Sequence, residues 1–215
     1  MTTPEPPAAQ PSEPAEEDRV FRSPLGIAGG VFLIVLAAVF GVDSIVRGEG
    51  RTPWLALASM IFVIPLIVAF TIRPAVYAND RRLRIRNPFR TITLPWGAVA
   101  DVRASYSSEA FTHAGGRYQL WAVPVSLRQR KKAARSAARA SQDDPHGRTS
   151  TTADVTDSKA RTAPADQTVA DIRELAERFA DRPAAQGEPS IRWAYEILAP
   201  TAAGLVLLVI LMATG

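Results

Sequence analysis

The chain has 215 residues, 25 lysines and arginines against 21 aspartates and glutamates, a formal net charge of +4 and no cysteine. The lack of cysteine excludes disulfide frameworks, cysteine-ligated zinc and thiol catalysis. A mean hydropathy near zero conceals long apolar runs beside strongly polar stretches, and with runs and tails set aside about 120 residues remain, enough for one small soluble domain rather than two.

Met1 to Val20 is rich in proline and glutamate, the composition of a disordered tail, which is taken as residues 1–22. Three runs then carry no charged residue: Ser23 to Val42, Thr52 to Ile72 and Ile197 to Gly215. At about 1.5 Å per helical residue, each approaches the roughly 30 Å of a hydrocarbon core. The first run follows 22 mostly polar residues and exceeds a signal-peptide core in length, so it reads as a retained span. A turn at Arg47–Pro53, through Gly48 and Gly50, makes residues 23–72 a helical hairpin, and residues 193–215 form a third span. Gly26 with Gly30, and Ala37 with Gly41, have the spacing that lets helices approach closely. Contact between the first two spans is one reading of them, and a homo-oligomer contact is the other. Pro65 is expected to kink the second span. Asp43 and Glu196 sit at span edges, so no ionisable group occupies a midplane position of the kind a proton-coupled transporter requires.

Charge sets the expected orientation. Arg19 and Arg22 precede the first span, Arg73, Arg81, Arg82, Arg84, Arg86 and Arg90 follow the second, and Arg178, Arg182 and Arg192 precede the third. The loop on the other side has Arg47 and Arg51, offset by Asp43 and Glu49. The positive-inside rule then places the N-terminus and the middle of the chain in the cytoplasm and the C-terminus outside, in an inner (cytoplasmic) membrane.

After Pro74 the pattern changes to short alternating runs. Ala75–Ala78 is a strand, and Asn79-Asp80 a turn. Leu83 and Ile85 alternate with Arg82, Arg84 and Arg86, giving a strand with one apolar and one basic face. Asn87-Pro88 breaks it, Thr91 to Pro95 resumes the alternation, Trp96-Gly97 forms a corner, and Val99 to Tyr106 is extended. Ala114-Gly115-Gly116 is a turn before the longest expected strand, Tyr118 to Val125. Five short strands with regular turns predict a sandwich or barrel. Val169, Ile172, Leu175, Ala176 and Phe179 recur at helical spacing, with Thr168 and Asp171 placed as an N-terminal cap. The fold class is therefore α+β: a helical hairpin plus a C-terminal span, and a small antiparallel barrel or sheet capped by one helix.

Val76-Tyr77-Ala78-Asn79-Asp80, Leu83-Arg84-Ile85-Arg86-Asn87-Pro88-Phe89-Arg90, Leu94-Pro95-Trp96-Gly97-Ala98-Val99 and Val102-Arg103 together resemble the bacterial pleckstrin-homology (PH) domain family, and more narrowly its low molecular weight protein antigen 6 type. Tyr118 to Val125 resembles a later strand of the same family. The resemblance implies a PH-like domain, taken as residues 73–182 with a disordered insert at 141–165. The matching positions are structural and name no chemistry.

Residues 73–140 hold 14 basic and three acidic residues, a local charge of +11. The strand arginines Arg82, Arg84 and Arg86 and the run Arg128, Arg130, Lys131, Lys132, Arg135 and Arg139 are the candidate contacts for a lipid or a partner. Near an anionic leaflet each such residue contributes about 1 kcal/mol of attraction. A nucleic-acid role is not expected, because no aromatic residue interrupts the basic run. The histidines are His113, before a glycine turn, and His146, in the insert; no HExxH, GxSxG or Walker lysine motif is present. No catalytic residue, metal or cofactor is expected. The function expected is a non-catalytic multi-pass membrane protein displaying a cytoplasmic PH-like domain to a protein partner the sequence does not identify. The alternative is a sensor of anionic lipid headgroups, and a transporter accessory subunit or an enzyme is a remoter one.

Overall fold

A computed structural model describes residues 17–125 and 164–214, together with Lys131 and Arg135. The described helices are α1 (Pro24–Arg47), α2 (Thr52–Ile67), α3 (Pro164–Phe179) and α4 (Tyr195–Ala213). The strands are β1 (Arg19–Phe21), β2 (Ala75–Ala78), β3 (Arg82–Arg86), β4 (Arg90–Pro95), β5 (Val99–Ala104), β6 (Ser108–Thr112), β7 (Arg117–Gln119) and β8 (Ser190–Trp193).

Three helices are long and apolar enough to cross a membrane: α1, α2 with its continuation to Ile72, and α4. Ser23 caps α1, its Oγ accepting from the Gly26 amide at 3.2 Å, and Pro24 takes the first turn, where a missing N–H costs nothing. Pro65 lies inside α2 and removes a ladder donor. Beyond it the helix widens into a π turn, Val68–Ile72, in which the Arg73 amide donates to the Val68 carbonyl at 2.8 Å.

Helix α2 is central and packs on both α1 and α4. The small residues make this approach feasible. A Cβ at Gly30 would lie 2.1 Å from Thr71 Oγ1, and one at Gly41 2.2 Å from Met60 Sδ. Gly204 of α4 is less forgiving, since its Cβ would meet backbone, the Phe62 nitrogen at 2.4 Å, rather than a side chain that can move aside. Gly30 and Gly41 of the first span thus serve contacts within the chain. At the far end Arg51 donates to the Leu211 carbonyl and to Thr214 Oγ1, placing a cation at the C-terminus of α4.

The strands form two antiparallel sheets, β1-β2-β3-β4-β8 and β5-β6-β7. Alternation directs Val76, Leu83, Ile85, Ile92 and Leu94 inward, where they meet Val102, Ala110 and Leu120 of the second sheet region and Val169, Ile172, Leu175 and Phe179 of α3 in one core. Trp96 turns the corner between the sheets. It is fully buried, and its indole N–H donates to the Asn79 carbonyl at 2.7 Å. Asn79 in turn accepts the Arg81 and Arg82 amides at 2.9 and 3.0 Å, holding the β2–β3 turn. Arg173 ties α3 to β5 by donating to the Val102 carbonyl at 2.5 Å and to Asp101 Oδ1 at 3.2 Å. The chain is α+β, with three apolar helices and a helix-capped antiparallel sheet.

Several details differ from expectation. Three strands come in addition to the five expected. β1 falls within the stretch read as a tail, β6 occupies Ser108–Thr112, and β8 leads into α4. The expected strand Tyr118 to Val125 is ordered as a strand only over Arg117–Gln119; Leu120, Ala122 and Val123 are buried in the core, but the chain turns there, with the Val123 amide bonded to the Leu120 carbonyl at 3.1 Å. Helix α3 begins at Pro164, so Thr168 lies inside it rather than at its cap. Residues 141–163 of the insert lie outside the described residues.

Candidate functional site: an arginine-lined cleft at the helix ends

Register on the outer face of the larger sheet builds the site. Residues opposite each other across a ladder share a face. Tyr77, Arg84, Thr93 and Ser190 form one row, and Arg86, Thr91 and Arg192 the next. Leu83, Ile85 and Ile92 point the other way, into the core, so the basic side chains of β3 have only the solvent side available. From these rows Arg84, Thr93, Arg86, Thr91 and Arg192, together with Arg73, Arg82, Trp193 and Glu196, line a cleft of about 420 Å³.

Arg73 forms the end of the cleft nearest the helices. It follows the π turn directly and is 8% exposed. Its guanidinium donates to Glu196 Oε1 at 2.6 Å, to the Asn87 carbonyl at 3.2 Å and to Thr91 Oγ1 at 3.3 Å. One side chain thereby joins α2, the β3–β4 turn, β4 and the first turn of α4. An aromatic cluster strengthens the junction: Phe70 of the π turn meets Phe89 edge-on at 5.3 Å and Trp121 at 5.6 Å.

Further along β3, Arg84 stacks on the Tyr77 ring, 4.5 Å from its centroid, and pairs with Asp18 at 2.9 Å. The Arg84 Nε is buried without a hydrogen-bond acceptor. The Tyr77 hydroxyl accepts from Arg22 at 2.8 Å and Arg86 at 3.3 Å. Burial pushes this phenol up, but the hydrogen bonds and charges of Arg22 and Arg86 outweigh that and hold it below its ordinary value. Arg82 and Arg192 have no carboxylate within ion-pair reach among the described residues.

Of the candidate contacts named from sequence, Arg82, Arg84 and Arg86 line this cleft. Lys131 and Arg135 are helical and exposed, and Arg128, Arg130, Lys132 and Arg139 lie outside the described residues. Arg73 and Arg192 were not singled out as contacts. Each could be seen to flank a span, but only the ladder pairing of β8 with β4 places Arg192 in one row with Arg86, across Thr91. Among the described residues no group of three histidine, cysteine, aspartate or glutamate side chains is disposed to hold a metal ion. His113 is exposed in the β6–β7 turn.

The curled sheet, the corner tryptophan and the capping helix describe a PH-type module carried beside candidate membrane helices. The family model for the bacterial PH domain matches residues 73–185, more than half of the chain, and the protein belongs to that family. Comparison with curated proteins finds no match, and comparison with solved structures finds none.

Proposed function

We propose that this chain is a non-catalytic, multi-pass membrane protein that presents its PH-type domain at the cytoplasmic face of the inner membrane as a docking module for a protein partner. The observation behind this reading is strand β8. It is the outer strand of the larger sheet, exposed along its whole length, with Ile191 and Trp193 open to solvent directly before α4. An edge of this kind offers unpaired backbone groups to an added strand and apolar side chains to anchor it. PH-type folds host many ligands, so the fold by itself names no partner.

In-cell photocrosslinking from a probe replacing Ile191 tests the reading. Specific adducts with another membrane or envelope protein are expected, and adducts with the chain itself alone would count against it. The second reading, recognition of anionic headgroups, is favoured by the cleft that gathers Arg73, Arg82, Arg84, Arg86 and Arg192. The basic run from Arg128 to Arg139 would add to it as a surface attraction of about 1 kcal/mol per residue.

A further inference from the structure

We propose that the arginine-lined cleft is a binding site for the phosphate of an anionic phospholipid, entered from the leaflet in which the second candidate span ends and α4 begins. The proposal rests on the second reading above and gives it a site and a ligand class.

The first argument is charge. Five guanidinium groups converge on a cleft whose lining holds one carboxylate, Glu196. That carboxylate is engaged by Arg73 at 2.6 Å, and Asp18, outside the lining, pairs with Arg84 at 2.9 Å. Arg82 and Arg192 have no carboxylate within ion-pair reach among the described residues, and Arg84 keeps a buried Nε without an acceptor. Guanidinium groups crowded in this way repel one another until an anion enters. Their planar forks match a phosphate, which can accept two parallel hydrogen bonds from each.

The second argument is preorganisation. Arg86, Thr91 and Arg192 stand in one row across three hydrogen-bonded strands, so their relative positions are set by the ladder. Thr91 Oγ1 accepts from Arg73 and keeps its own proton to donate. Arg73, Arg84 and Arg86, held by their present partners, have little side-chain freedom left to lose when an anion binds.

The third argument is position, and it selects a lipid over a soluble anion. Arg73 follows Ile72, the last residue of the second candidate span, and Glu196 is the second residue of α4. The floor of the cleft therefore lies where the hydrocarbon core gives way to headgroups. Trp193 and Tyr195, 55% and 70% exposed, stand at the same level. Amphipathic aromatic rings in that place are typical of the membrane–water boundary.

The test uses the full chain purified in a neutral detergent and titrated with phosphatidylglycerol, phosphatidylcholine or inorganic phosphate, with bound molecules counted by native mass spectrometry. The wild-type chain is expected to retain phosphatidylglycerol in preference to phosphatidylcholine, and millimolar inorganic phosphate is expected to leave the lipid in place. Arg86→Gln with Arg192→Gln should weaken the preference by about 30-fold, at roughly fivefold per arginine. Arg47→Gln, at the opposite ends of the helices, should leave it unchanged, and Arg82→Gln provides an independent variant should the double substitution impair folding. Equal retention of the two lipids, or an undiminished preference in the cleft variants, would overturn the proposal. Binding of phosphate with displacement of the lipid would assign the cleft to a soluble anion and overturn the lipid assignment. Carbonate extraction of membranes runs in parallel. A chain released by carbonate sinks the membrane reading, whereas one that stays embedded without a lipid preference sinks only the cleft assignment.

Discussion

At the scale of single residues, polar side chains do much to set where the backbone turns. Asn79 holds the β2–β3 turn through its side chain and accepts the Trp96 indole through its carbonyl. Asn87 donates to the Gln119 carbonyl at 2.9 Å and so links the larger sheet to the end of β7. Glu109 on β6 receives Arg117 of β7 in a two-pronged contact at 2.6 and 2.7 Å and also accepts from Ser107 at 2.6 Å. These bonds, with Arg117 the largest influence, hold the Glu109 carboxyl below the ordinary value. A group whose folded pKa is depressed contributes stability above its unfolded pKa and loses it as pH falls through the folded one. Glu109→Gln should therefore lower the melting temperature at neutral pH and reduce its fall on acidification. Thermal melts of both proteins in detergent between neutral and strongly acidic pH check this. A variant that melts like the wild-type chain at neutral pH would exclude the effect.

At the scale of elements, legibility followed side-chain size. β2, β3 and β4 could be read from the sequence because Val76, Leu83, Ile85, Ile92 and Leu94 are large, apolar and spaced by two. β6 was not, because its buried positions are Ser108, Ala110 and Thr112, and small or hydroxylated residues leave no apolar rhythm. β8 was missed for the opposite reason, since it is exposed throughout and its pairing depends on β4 rather than on burial. Of the candidate site, the basic face of β3 was evident from alternation, whereas Arg73 and Arg192 joined it only through tertiary placement. The contact of α2 with α4 could not be foreseen either, because Gly204 stands alone rather than in a recognised small-residue pair. Gly204→Val places a branched side chain against the Phe62 backbone, where neither helix has room. We expect a destabilisation of at least about 1–3 kcal/mol, the usual cost of overpacking. It would be seen as a lower melting temperature in detergent, while Gly29→Val, at a position with open space, should be nearly neutral.

At the scale of the whole molecule, the domain meets the helices at one end of the bundle. β1 runs into α1, α2 runs into β2, and β8 runs into α4. Arginines gather at that end, and the opposite end has Arg47, paired with Asp43, and Arg51, turned to the C-terminus of α4. Under the positive-inside rule this predicts a cytoplasmic domain and an external C-terminus. An alkaline phosphatase fusion after Gly215 should be active, and one inserted in the β6–β7 turn at Gly115 should be silent. The reverse pattern would invert the topology.

The junction at Arg73 and the Phe70, Phe89 and Trp121 rings has a mechanical consequence. A flexible tether would isolate the sheet from whatever happens to the helices, but this joint, at the C-terminal end of the second candidate span, is held by charge and by ring contacts. Were the apolar helices embedded in a bilayer, its thinning, or a sideways push that tilts α2, would swing β3 and β8 by the same angle, so that the exposed face of the sheet would become a pointer moved by the state of the lipid.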